Sequence, residues 1–207
     1  MTTEQRIKNQ YSKVFSLDDY IPFKQAADYY FNFAATIKKR DIPASDNLKL
    51  WFRNIQKRLY IGIGTELLLK ALYLKNNYNI NRPKQNKKDL KIKFPEKIPN
   101  LNSLDLNPND TYTLSQLINK LDVVIPKRSE YDEIIDGLNI CKVFRNKEGH
   151  IAVHYHDFIK DDFRKIEYSI KKIYQTGFNE NLEFKISFSK TDKTGKFKKT
   201  HYNNGYK

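Results

Sequence analysis

From Leu48 to Leu74 apolar side chains return at helical spacing without a break: Leu48, Trp51, Ile55, Leu59, Ile63, Leu67 and Leu74. A 3.6-residue period held for that long commits the segment to one helix and obliges it to bury a stripe against partners. Ser45 or Asp46 stands where an N-cap belongs, and the helix is predicted to continue to about Tyr78. Its most apolar run, LYIGIGTELLLKALYL, is interrupted by Glu66 and Lys70 and falls short of the roughly 20 apolar residues that cross a bilayer. It reads as a buried core helix, so no membrane association is expected.

The partners of that helix are written into the rest of the chain. Before it, Tyr20, Phe23, Ala27, Tyr30 and Phe31 predict a helix from Asp18 or Asp19 to about Lys39. After it, Leu114, Leu117, Ile118 and Leu121 predict a short helix that opens at Thr113 and stops at Pro126. A further helix opens with Ser129 and an acidic first turn and carries Ile134, Leu138, Cys141 and Arg145 on one stripe. Beyond Gly149, Ile151, Tyr155, Phe158, Ile159, Phe163, Ile166, Ile170 and Ile173 predict a last long helix ended by Gly177.

Two segments flank this helical domain, which spans 17–177, and a third interrupts it. Residues 1–16 are polar, basic and aperiodic, and are expected to be a flexible arm. Residues 79–112, rich in Pro, Asn and Lys, read as a basic loop insertion, since a loop of that length within a compact domain is uncommon. In 178–207 the period changes to two at Leu182, Phe184, Ile186 and Phe188, and TDKTG supplies turn residues, so a small C-terminal β-hairpin or a flexible basic tail is expected. The fold class is therefore all-α, with these additions.

At 207 residues the chain suits one domain with a real core. Its 38 Lys and Arg against 24 Asp and Glu leave +14, an excess that attracts polyanions, nucleic acid first. Cys141, the one cysteine, cannot form an internal disulfide, and the N-terminus lacks a signal-peptide pattern, so a cytoplasmic location is expected.

Chemistry concentrates in VFRNKEGHIAVHYH, residues 143–156, which holds three of the four histidines. Arg145 shares the stripe of Ile134, Leu138 and Cys141, so its guanidinium points toward the core and needs a partner; a buried, unpaired one would cost roughly 3 to 5 kcal/mol. Glu66 lies on the apolar face of the long helix and is predicted to face Arg145. Gly62 and Gly64, close by, leave room for another helix to approach. The alternative for Glu66 is an exposed i,i+4 pair with Lys70, and for Arg145 a snorkelling side chain at a helix end. On an unbroken helix Arg145 and His150 would diverge by roughly 140°. A turn over Lys147–Gly149 brings them to one mouth, with Asn146 free to cap or to bond a ligand. His150 would then sit at a helix N-terminus, which favours its neutral form.

RNKEGH, Arg145 to His150, with a polar residue directly after the Arg, resembles the Arg, four-to-six residues, His motif of the HEPN superfamily, and the GTELLLKALYL helix is similar to that family's acid-bearing second helix. The resemblance covers 18–175. It implies a HEPN-like antiparallel bundle of about four or five helices and a metal-independent endoribonuclease of the toxin–antitoxin, abortive-infection or antiviral kind, with no cofactor. RNA carries its own nucleophile, the 2′-hydroxyl, so such an enzyme needs a proton-handling group and a cation for the charge developing on phosphorus. By resemblance His150 moves protons, Arg145 stabilises the phosphoryl oxygens, and Glu66 and Asn146 orient them; Lys147, His154 and Lys70 are expected to contact RNA. The family also implies a homodimer whose motifs line one cleft, and an antitoxin or defence-system partner. Some of its toxins carry Tyr two positions after the motif His and are silenced there by nucleotide transfer; here that position is Ala152, which puts that form of control in doubt.

Two other readings are weighed. His150 and His154, with Asp157 and Asp161, have the spacing of a metal site, but HExxH is absent and no cysteine pair assists. The second is a HEPN-like module that binds RNA or a protein without cutting.

Overall fold

The long periodic segment anchors the computed structural model, which describes residues 1–7, 19–84, 94–100, 105–148, 160–183 and 186. The molecule is mainly helical. Helix α1 is Ile21–Thr36, α2 is Asp46–Lys75, α3 is Leu114–Asn119, α4 is Tyr131–Lys147 and α5 is Lys160–Ile173. Residues 3–7, within the expected flexible arm, are helical and exposed.

Helix α2 is central. Helix α1 packs antiparallel to it, with Phe31 against Gly64 and Phe33 edge-on to Tyr60, while α4 packs on another side and α5 on α4. Helix α5 runs antiparallel to α4, with Lys165 near Asp136 and Lys172 bonded to Glu130 at 2.8 Å. The chain then returns to α1, where the Tyr174 hydroxyl bonds Asp28 and Tyr20 meets Phe178.

Because α2 has neighbours on several sides, its burial is wider than one stripe. Ile61, Leu68, Leu69, Leu72 and Tyr73 are fully enclosed, whereas Leu59, Ile63 and Leu67, predicted to lead the core face, are only half-buried, and Leu48 is exposed. Fully burying such side chains stabilises by about 1.5–3 kcal/mol each. On α4 the predicted stripe Ile134, Leu138 and Cys141 is buried, joined by Phe144; on α5 so are Phe163, Ile166, Ile170 and Ile173.

Several boundaries differ from the sequence expectation. Ser45 is the N-cap of α2, yet its side chain bonds nothing there, and α2 ends at Lys75 with Asn77 at φ 60°. Thr113 does cap α3, in a reciprocal capping box with Gln116. Helix α4 is not capped by Ser129: its N-cap is Glu130, whose carboxylate is turned to Lys172 instead. Helix α5 does not stop at Gly177. It widens into a π-turn over Tyr174–Phe178 and ends at Asn179, whose φ of 57° is a left-handed conformation that Asn tolerates.

The expected loop insertion holds a two-stranded antiparallel ribbon, β1 (Asn81–Pro83) with β2 (Leu106–Thr111), so the fold is mainly α with a small sheet, not all-α. Sequence periodicity could not show this, because strands containing Pro83 and Pro108 lack apolar alternation. The ribbon is fixed by Asn79, whose side chain bonds both the N–H and the C=O of Asn81, and by the tilted ring contacts of Phe94 with Tyr73 and with Tyr112. The core also passes the expected domain end at 177, since Phe178 and Ile186 are buried in it. Leu182 and Ile186 are not in strands; Phe184, Phe188 and the rest of the expected C-terminal hairpin lie outside the described residues.

Candidate active site

Arg58, Gly62, Glu66 and Lys70 follow one another at four-residue intervals along α2, so they share one side of that helix. Helix α4 lies against this side in the opposite direction: Cys141 meets Thr65, Arg145 meets Gly62 and Glu66, and Glu148 meets Arg58. The contact is close. A Cβ on Gly62 would stand 2.6 Å from the Arg145 backbone nitrogen, a distance that two helices cannot share without moving apart.

At the centre of the seam Glu66 divides its carboxylate. Oε2 accepts from Arg145 Nε at 3.0 Å and Oε1 accepts from Lys70 Nζ at 2.7 Å. Both sequence readings of Glu66 therefore hold together, with one change: the Lys70 pair is enclosed, not exposed. The Lys70 and Glu66 side chains are 10% and 17% exposed, while Arg145 is 38% exposed, so the cluster is shut at the Lys70 end and open at the guanidinium. Two cations against one carboxylate leave a net positive charge in the cluster. Lys70 itself, expected to touch RNA, is directed to Glu66.

Farther along the seam, two turns from Glu66 on α2 and one from Arg145 on α4, is a pair that sequence inspection missed. Arg58 Nε donates to Glu148 Oε1 at 2.5 Å, with side chains 8% and 1% exposed. Glu148 immediately follows α4 and belongs to the RNKEGH motif, so this buried pair pins the end of the helix that carries Arg145. A legible signal existed: the Arg58-x3-Gly62-x3-Glu66-x3-Lys70 spacing of charges on an otherwise apolar helix. Beside it Lys57 is buried too, and desolvation, reinforced by Arg53 and opposed by Glu167, pushes its ammonium down to about 8.

Asn146 and Lys147 occupy the exposed last turn of α4. His150, His154, Gly149 and Asp157 lie outside the described residues, as do His156 and His201, so the expected meeting of Arg145 with His150 and the expected histidine pair fall there as well. Asp161 is exposed and sits 3.8 Å from Arg164. Cys141 offers no nucleophile, since complete burial pushes its thiol up to about 12.

Comparison of the chain with protein-family models, curated proteins and solved structures finds no match. Function must therefore be argued from these side chains. No helix among the described residues is long and apolar enough to cross a membrane.

What the arrangement can do follows from the guanidinium. Arg145 gives Nε to Glu66 and, among the described residues, no other acceptor takes its Nη groups. A planar fork with Nε engaged and its side chain 38% exposed is suited to two oxygens of a phosphoryl group.

Proposed function

We propose that this protein is a metal-independent endoribonuclease of HEPN type, acting as a toxin or as an antiviral or abortive-infection effector. The observation that carries the reading is the Glu66–Arg145 clamp: a half-exposed guanidinium, oriented by a largely enclosed carboxylate, five residues before His150 and on the last turn of α4. The chain's +14 charge supports a polyanionic substrate.

The reaction assigned to these groups is an internal transfer. The ribose 2′-oxygen attacks the adjacent phosphorus while His150 takes the hydroxyl proton. The bond from phosphorus to the 5′-oxygen breaks, and that oxygen takes a proton from water while His150 returns its own to solvent, giving a 2′,3′-cyclic phosphate and a 5′-hydroxyl. Arg145 stabilises the charge that gathers on the two non-bridging oxygens, where a preorganised cation has its greatest effect. Glu66 fixes the plane of the guanidinium, and Asn146 and Lys147, exposed beside it, hold the strand. A twofold dimer placing two such motifs in one cleft would double the positive surface available to the strand.

The test compares wild type, His150→Ala and Arg145→Ala on an end-labelled single-stranded RNA with EDTA present throughout. Cutting that survives chelation and is abolished by either substitution, with cyclic-phosphate ends on the products, is the expected result. Loss of cutting on chelation points to a metal hydrolase, and binding without cutting by wild type points to a recognition module; either result ends the proposal.

A further inference from the structure

The fold does not finish covering the stripe from which α2 is legible in the sequence. Leu59, Ile63 and Leu67 recur at helical spacing, as core residues do, yet they stay half-buried, and Leu48, on the same side of the helix, is 39% exposed. Helix α1 borders this side through Tyr30 and Phe33, whose rings meet Tyr60 at 5.8 and 5.1 Å, and α4 borders it through Arg145, held by Glu66. Tyr60, Ile63 and Glu66 follow one another at three-residue intervals, so they step across the open side of α2 from the ring of Phe33 to the guanidinium of Arg145. One apolar surface therefore runs from α1 to the edge of the candidate active site.

The α1 edge of this surface is the most open. Tyr29 is 63% exposed and Phe33 40%, their rings stacked 6.0 Å apart, and Ile21, eight residues before Tyr29, is 50% exposed. Tyr29 also meets Tyr30 edge-on at 5.7 Å, which closes a cluster of four rings with Tyr60. This edge carries no charge, because the two charged residues of α1, Lys24 and Asp28, pair with each other and turn to Glu180 and Tyr174. Rings that stack on single-stranded nucleic acid come with cations for its phosphates, and these do not. Exposed rings without charge are instead the composition of the buried centre of a protein interface.

We propose that this α1–α2 face is where a second copy of the chain docks. Two bodies that each carry +14 repel one another at long range, so they can press together only over a surface free of charge, and here the uncharged surface is also apolar. An acidic partner protein would be drawn to the basic surface instead. In an isologous contact the Tyr29–Phe33 stack of each copy covers the half-buried Leu59 and Ile63 of the other, which completes the burial that the helical period of α2 calls for. The second copy then stands beside Arg145, so the contact supplies a surface for the twofold dimer of the ribonuclease reading. Association is measured without RNA cleavage, and either idea can fail alone.

Sedimentation velocity of the full chain, over a range of concentrations and at low and high salt, tests this. Wild type is expected to dimerise, and more tightly in high salt, because salt screens the repulsion between copies and leaves the apolar contact intact. Tyr29→Glu and Ile63→Glu are each expected to raise the dissociation constant at least about tenfold, since each substitution enters the contact twice. Circular dichroism checks that both keep the wild-type fold, and Tyr29→Glu, at an exposed position, keeps the test valid should Ile63→Glu disturb α2. Both variants lower the positive charge of the chain, so added repulsion between copies is not the cause of any loss. The proposal fails if wild type is a monomer at every concentration, if salt weakens the dimer, or if Tyr29→Glu associates as wild type does. It fails equally if Tyr29→Glu keeps the dimer but loses affinity for a single-stranded 2′-O-methyl oligoribonucleotide, since the rings would then be a stacking platform for bases.

Discussion

Glu66 on α2 accepts a hydrogen bond from Arg145 on α4 at 3.0 Å, and it does so with the one carboxylate oxygen that Lys70 leaves free. Removing the carboxylate frees the guanidinium from its plane and leaves Lys70 enclosed without its counter-charge. Glu66→Gln keeps the shape and one acceptor oxygen but loses the charge. Misplacement of a catalytic group by about 1 Å costs up to roughly 100-fold, so Glu66→Gln is expected to lower the rate of RNA cleavage by about tenfold to 100-fold. In the proposed ribonuclease the clamp acts on the transition state more than on substrate, so the loss should appear in kcat with little change in KM. Steady-state kinetics on a labelled RNA decide it.

The Arg58–Glu148 pair makes a different prediction, about stability. Both side chains are nearly enclosed, and a partner left alone there keeps its desolvation cost without its compensation. Arg58→Met or Glu148→Leu is expected to cost about 3–5 kcal/mol, while the double variant Arg58→Met/Glu148→Leu recovers a large part of that loss. A double-mutant cycle from urea denaturation measures the coupling; additive losses would mean that the two residues do not act as a pair.

Gly62 tests the seam itself. Its missing Cβ is the space filled by the Arg145 backbone, and a backbone atom cannot rotate aside as a side-chain tip can. Gly62→Ala gains helix propensity of about 1 kcal/mol, as any such substitution inside a helix does. Here the gain is opposed by overpacking of about 1–3 kcal/mol, so no net stabilisation is expected. The sharper readout is activity: cleavage should fall in Gly62→Ala even at temperatures where circular dichroism shows it fully folded, because Arg145 is displaced from Glu66.

How far these features were legible depends on their physical origin. The stripe on α4 gave Arg145 a direction, and the lone carboxylate on α2 gave it a partner, because helical spacing converts directly into a face. The same logic failed on α2, where Leu59, Ile63 and Leu67 obey the period yet are less buried than Leu68 and Leu69. A central helix is covered from several directions, and spacing cannot say which neighbour covers which side. Glu148 was hidden for another reason: a glutamate beside a glycine at a helix end reads as solvated, and only the approach of Arg58 from 90 residues earlier makes it a buried group. The ribbon was hidden because its stability comes from Asn side chains bonding the backbone and from rings beneath it, neither of which leaves an alternating pattern.

Lys57 gives the last prediction, through pH. Its folded pKa of about 8 lies below the ordinary lysine value of 10.5, chiefly because burial disfavours the charged form and Arg53 repels it. Below pH 8 both folded and unfolded chains carry the proton, so the full cost of enclosing a charge is present. Between about 8 and 10.5 the unfolded chain binds more protons than the folded one, and this site's contribution to stability rises with pH, by about 1.4 kcal/mol for each unit by which the two pKa values differ. Above 10.5 both states are neutral at this position and the contribution is level. Tyrosines complicate the raw curve in the upper part of that range, since burial holds Tyr73 and Tyr174 un-ionised in the fold while their unfolded counterparts lose protons. Lys57→Met removes the lysine and leaves the tyrosines. The difference in unfolding free energy between wild type and Lys57→Met, followed by urea denaturation from pH 7 to 10, should therefore shift toward wild type as pH rises; a difference that stays constant would mean that Lys57 keeps an ordinary pKa in the fold.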